Sequence, residues 1–187
     1  MTRRALLPFL ALVIAGCGPD EAEPRAQWLV TLATDAPVPL FGDRVLVEVL
    51  DGSGKPACPT CRRLLDASDA TRFPLSFGVQ TFPTEVRVRA RLYRSLNVGD
   101  DGLPAGTALV DALGVLPPAS SFTNVALPPH ADCFDVPADP IAGTSCDPAT
   151  RCPAPALELA PPAPPLPSAG SWEPAQVLDC PETPPPG

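Results

Sequence analysis

Apolar and polar positions alternate with a period of two along most of the first 130 residues, the pattern of half-buried strands. The signal is clearest from Glu85 to Arg94, where Val86, Val88, Ala90 and Leu92 share one face and Arg87, Arg89 and Arg91 the other. Arg44 to Leu50 repeats it, with Val45, Val47 and Val49 opposite Arg44 and Glu48. Trp28 to Ala33, Phe73 to Thr81, Ala108 to Leu116 and Phe122 to Leu127 complete a set of six strand candidates. Turn formers separate them: Pro37 and Pro39, Asp51-Gly52-Ser53-Gly54, the loop Asn97 to Gly102, and Pro117-Pro118. No long amphipathic helix and no internal repeat stand out; Cys61 to Asp69 is expected to form one or two helical turns. Short strands at this spacing predict a mainly β chain, an antiparallel β-sandwich of Ig-like or transthyretin-like type spanning residues 28–130.

The N-terminus follows another logic. Arg3 and Arg4 precede an apolar run from Ala5 to Ala15, too short to span a bilayer, which takes roughly twenty residues. A charged start, a short apolar middle and small residues before a cut site describe a secretory signal. The plainer readings are an ordinary signal with an incidental cysteine, or a core helix. The closing residues Ile14-Ala15-Gly16-Cys17 resemble the lipobox of bacterial lipoproteins: an aliphatic residue, two small ones, then cysteine. That resemblance implies a signal peptide over residues 1–17, lipid on the Cys17 thiol, cleavage before Cys17 and acylation of the new amino terminus. More than one acyl chain gives stable membrane attachment. Gly18, rather than Asp, after the cysteine implies the outer membrane. Residues 18–27, polar, acidic and twice interrupted by proline, read as a tether.

Charge narrows the partners. Without Arg3 and Arg4 the remaining 11 basic and 21 acidic side chains give a net −10. An acidic chain repels phosphate backbones, which argues against nucleic acid, and against a basic helix lying on anionic lipid. Of 29 prolines, 17 lie from Pro128 onward, which marks residues 131–187 as an irregular, Cys/Pro-rich C-terminal segment. Pro161 to Pro167 favours polyproline II, while Trp172 and Cys180 argue that part of the segment folds back. Apart from Cys17 there are six cysteines, an even number that reads as three disulfides in an exported chain. The spacing alone does not choose among their pairings; Cys58–Cys61, Cys133–Cys146 and Cys152–Cys180 is the working set.

Candidate chemistry is thin. Cys58-Pro59-Thr60-Cys61 is a CxxC pair, a redox dithiol if a helix N-terminus depresses one thiol pKa, but glycines and Pro56 separate it from the preceding strand and no long helix follows. A small disulfide stapling a turn is the expectation. Paired ligand spacing for zinc is missing, and no cofactor is implied. His130, the only histidine, sits after Pro128-Pro129 at the domain edge, and no Gly-x-Ser-x-Gly elbow accompanies it. Asp132, Asp135, Asp139 and Asp147, and Asp100-Asp101-Gly102, lack calcium-loop spacing and read as turn formers. Arg87, Arg89 and Arg91 make a cationic ladder. Its functional reading is a site for an anionic glycan, lipid head group or acidic peptide; its plain reading is a solvated face paired with residues such as Glu48.

Phe73-Pro74-Leu75-Ser76-Phe77-Gly78-Val79, Val86 to Tyr93, Asp132-Cys133-Phe134 and Cys146-Asp147-Pro148 resemble the N-terminal module of lipoproteins from myxobacterial-type Gram-negatives. In some of these a formylglycine-generating-enzyme-like domain follows. This chain ends about where that domain would start, so the resemblance carries over no catalytic residue. The expectation is a lipid-anchored, non-catalytic binding or scaffolding module of the cell envelope, with an envelope protein or anionic glycan as partner. The alternatives are a periplasmic thiol–disulfide oxidoreductase using Cys58 and Cys61, and an accessory targeting module for a separate catalytic partner.

Overall fold

Val86, Val88, Ala90 and Leu92 turn inward together, as their spacing requires, and none is more than 5% exposed. A computed structural model describes residues 25–161, 165–174 and 180. These form β1 (Gln27–Leu32), β2 (Arg44–Leu50), β3 (Arg62–Asp66), β4 (Leu75–Gln80), β5 (Val86–Tyr93), β6 (Leu109–Leu116), β7 (Phe122–Ala126), β8 (Thr144–Asp147), β9 (Cys152–Pro155) and β10 (Leu157–Glu158). No α-helix occurs among the described residues.

The strands make a three-stranded sheet, β4-β1-β7, a five-stranded sheet, β10-β6-β5-β2-β3, and the hairpin β8-β9. One apolar core joins the two larger sheets: Trp28, Val30 and Leu32 of β1 with Phe77 and Val79 of β4 meet the inward faces of β2, β5 and β6. Burying a leucine of this core, such as Leu32 or Leu92, contributes about 1.5–3 kcal/mol. Trp28 also donates its indole N–H to the Pro117 carbonyl at 3.0 Å, so the ring buries its apolar body without stranding its polar tip. The immunoglobulin order would group the first, second, fourth and fifth strands. Here the first, fourth and seventh share a sheet, a different grouping. Most pairings are antiparallel, but β1 with β7 and β6 with β10 run parallel, each joined through long intervening chain.

Two regions depart from the sequence expectation. Residues 62–66, expected to lie in one or two helical turns, instead form strand β3 beside β2; a 3-10 turn, capped by Asp69, follows at Ala70–Arg72. The C-terminal segment carries structure of its own. Ala131–Cys133 is a buried 3-10 turn, Cys133 is bonded to Cys146, and β10 extends the five-stranded sheet. Trp172 packs against Phe41, with ring centroids 5.4 Å apart, and its backbone N–H reaches the Asp35 carbonyl at 3.0 Å. Cys152 holds Cys180 by a disulfide. Residues 131–161 therefore pack as part of the same folded body.

Candidate functional site

The arginine ladder lies on the face of the five-stranded sheet turned away from the main core. The register sets Glu48 opposite Arg89 and Asp111 opposite Arg91. The ion pairs run diagonally instead. Arg89 grips Asp111 with Nε at 3.0 Å and a terminal nitrogen at 2.5 Å, while Arg91 meets Glu48 at 2.7 Å. Glu48 also accepts from Arg62 Nε at 2.8 Å. Both acids are buried, Glu48 at 2% and Asp111 at 1% exposure.

Over Asp111 the cover comes from the C-terminal segment. The Ala138 N–H donates to Asp111 at 2.9 Å, Arg89 donates back to the Ala138 carbonyl at 3.2 Å, and Arg87 binds the carbonyls of Pro140 and Ile141. Burial opposes the Arg89 charge, but the hydrogen bonds and negative charge of Asp111 outweigh it and raise the pKa. For Arg91 burial prevails over the attraction of Glu48, and neighbouring Arg89 adds repulsion, so its pKa falls. The Nε atoms of Arg87 and Arg91 are buried without a partner among the described residues. Sequence reasoning offered an anion site or a solvated face paired with residues such as Glu48; the pairing occurs as an ion lattice, with Arg91 on Glu48 and Arg89 on Asp111, while Arg87 makes no ion pair among the described residues and binds carbonyls of the covering C-terminal segment instead. Glu48 and Asp111 are the members that alternation alone did not single out as buried. The available signal was an aspartate inside the apolar run Leu109-Val110-Asp111-Ala112-Leu113.

Cys58 and Cys61 are bonded to each other in the connection between β2 and β3. The loop is further tied by Ala57 N–H to the Val49 carbonyl and Val49 N–H to the Cys61 carbonyl, both at 2.9 Å. Strand β3, not a helix, follows, so no helix N-terminus faces either sulfur. A cavity of about 290 Å³ lies beside the disulfide.

A second cavity, about 700 Å³, opens against β6 and β10 and is lined by Leu127, His130, Ser145 and Leu159 among others. His130 Nδ1 lies 3.1 Å from Asp35, which also accepts the Ala131 N–H at 2.7 Å. Burial works against the Asp35 charge, yet these hydrogen bonds and the charge of His130 together hold its pKa below the usual carboxylate value. The Ser145 hydroxyl accepts the Leu113 N–H at 3.0 Å, so it is engaged with the sheet backbone. The pair serves to fix the chain after β7 against the loop after β1.

The aspartates are turn elements. Asp135 caps Ala108, Asp139 accepts from Ile141 and Ala142, and Asp147 holds Ala149 and Thr150. Asp132 takes Trp172 and Arg151. No cluster of metal-ligating side chains occurs among the described residues, and no helix among them is long and apolar enough to cross a membrane. Residues 1–24, on which the expected signal sequence, Cys17 and most of the expected tether fall, lie outside the described residues. No protein-family model, curated protein sequence or solved structure matches the chain.

Proposed function

We propose that the chain is a lipid-anchored, non-catalytic binding or scaffolding module of the bacterial cell envelope. The observation that carries this reading is the cysteine count. Seven cysteines are present, and six are bonded to one another in three disulfides. Cross-links of that density belong to an oxidising compartment, beyond the cytosol. The seventh, Cys17, ends the one stretch with the form of a lipoprotein signal. The reading is preferred to the thiol–disulfide alternative because Cys58 and Cys61 are joined to each other and a strand, not a helix, follows them.

The test is fractionation of a Gram-negative host expressing the full chain and its Cys17→Ser variant. The wild-type chain is expected in the outer-membrane pellet and the variant outside it. A variant that still sediments with the membrane would remove the lipid from the account.

A further inference from the structure

Arg62 and Arg63 are neighbours in β3 with opposite fates. Arg62 is on the outer face and bonds Glu48; Arg63, paired in register with Val47, is on the side where Val45, Val47, Val49 and Leu65 face the core. Arg63 forms no ion pair among the described residues. It borders the cavity of about 290 Å³ beside the Cys58–Cys61 bond, whose other walls combine apolar Val49, Phe77, Val79 and Phe82 with polar Gln27, Thr60 and Gln80. The cavity opens where β3 and β4, each an edge strand of its sheet, leave a gap. Gly78, exposed between the inward-facing Phe77 and Val79, borders the cavity as well.

We propose that this gap binds small amphipathic carboxylic acids, with the Arg63 guanidinium taking the carboxylate and Phe77, Val79 and Phe82 enclosing the apolar body. A planar guanidinium matches a carboxylate with two parallel hydrogen bonds. The volume stands near the lower end of small-molecule sites, roughly 300–1,000 Å³, which suits an aryl-alkanoic or short fatty acid. A charge on the inward side of an edge strand has another established use, blocking edge-to-edge association. The experiment separates the two.

This assignment gives the proposed binding role a ligand class. It is tested on the full chain carrying Cys17→Ser with its disulfides formed, so failure here leaves the anchor untouched. Titration with 3-phenylpropanoate, followed by ¹H–¹⁵N NMR, is expected to give saturable shifts confined to residues 60–63 and 77–82. Arg63→Gln, and separately the neutral 3-phenylpropanamide, are each expected to bind about ten- to a hundredfold more weakly, the worth of a charge-assisted pair. Equal affinity for acid and amide, unchanged binding in Arg63→Gln, or no saturation would each overturn the proposal. If Arg63→Gln self-associates while binding the acid as before, Arg63 is an edge guard and not a ligand group.

Discussion

Replacing Asp111 by alanine tests whether the C-terminal segment seals the ion lattice. The carboxylate is fully buried and accepts two contacts from Arg89 Nε, one from its terminal nitrogen and one from the Ala138 N–H. Its removal leaves a guanidinium only 15% exposed without its counter-ion, and a backbone N–H without its acceptor. Breaking a buried pair from one side costs about 3–5 kcal/mol, a large part of a typical stability of roughly 5–15 kcal/mol. Removing both charges, as Arg89→Met with Asp111→Leu, strands no ion. Its expected loss is about 1–2 kcal/mol, from the hydrogen bonds to Ala138 that disappear. The assay is urea unfolding at neutral pH with disulfides intact, completing the cycle with both single variants. A loss below about 1 kcal/mol for Asp111→Ala, the range of exposed pairs, would refute the argument, because the lattice would then be open to water.

Other consequences can be measured on the same protein. At Gly114 a Cβ would lie 2.6–2.8 Å from Leu159 carbons, so Gly114→Ala is expected to lower stability by about 1–3 kcal/mol and to loosen β10, read as faster amide exchange at Leu159. Exchanging Cys152 and Cys180 for serine opens a cross-link spanning 28 positions; chain entropy predicts a loss of about 3–4 kcal/mol, measured by urea unfolding of the variant against the parent. Asp35 has a depressed folded pKa, so the unfolded state binds more protons as acid is added. Its contribution is complete above the unfolded value, about pH 4, and is lost as pH falls through the lower folded value. Asp35→Asn should flatten that acid limb, and an unchanged limb in a pH series of urea midpoints would contradict the assignment.

Legibility in the sequence tracked the simplicity of each strand's surroundings. In β2 and β5 one face meets the core and the other does not, so Val45, Val47 and Val49, or Val86 and Val88, announced themselves by spacing. Strand β3 was hidden because its inward positions are Arg63 and Leu65, and an edge strand with a charge turned inward loses its alternation. The hairpin β8-β9 was hidden by Pro153 and Pro155, which strands tolerate at edges, where a missing N–H breaks no ladder. The burial of Asp111 depends on a segment more than twenty residues further along the chain, and no local pattern encodes such cover. The gap beside Arg63 was equally invisible, since it depends on two strand edges from different sheets.

Mass spectrometry of the N-terminal peptide, from protein isolated out of the membranes of expressing cells, tests the central claim most directly. The account predicts a chain beginning at Cys17, with a diacylglyceryl thioether on its sulfur and an acyl group on its amine. A peptide that retains Met1, or one cut elsewhere with an unmodified Cys17, would contradict it.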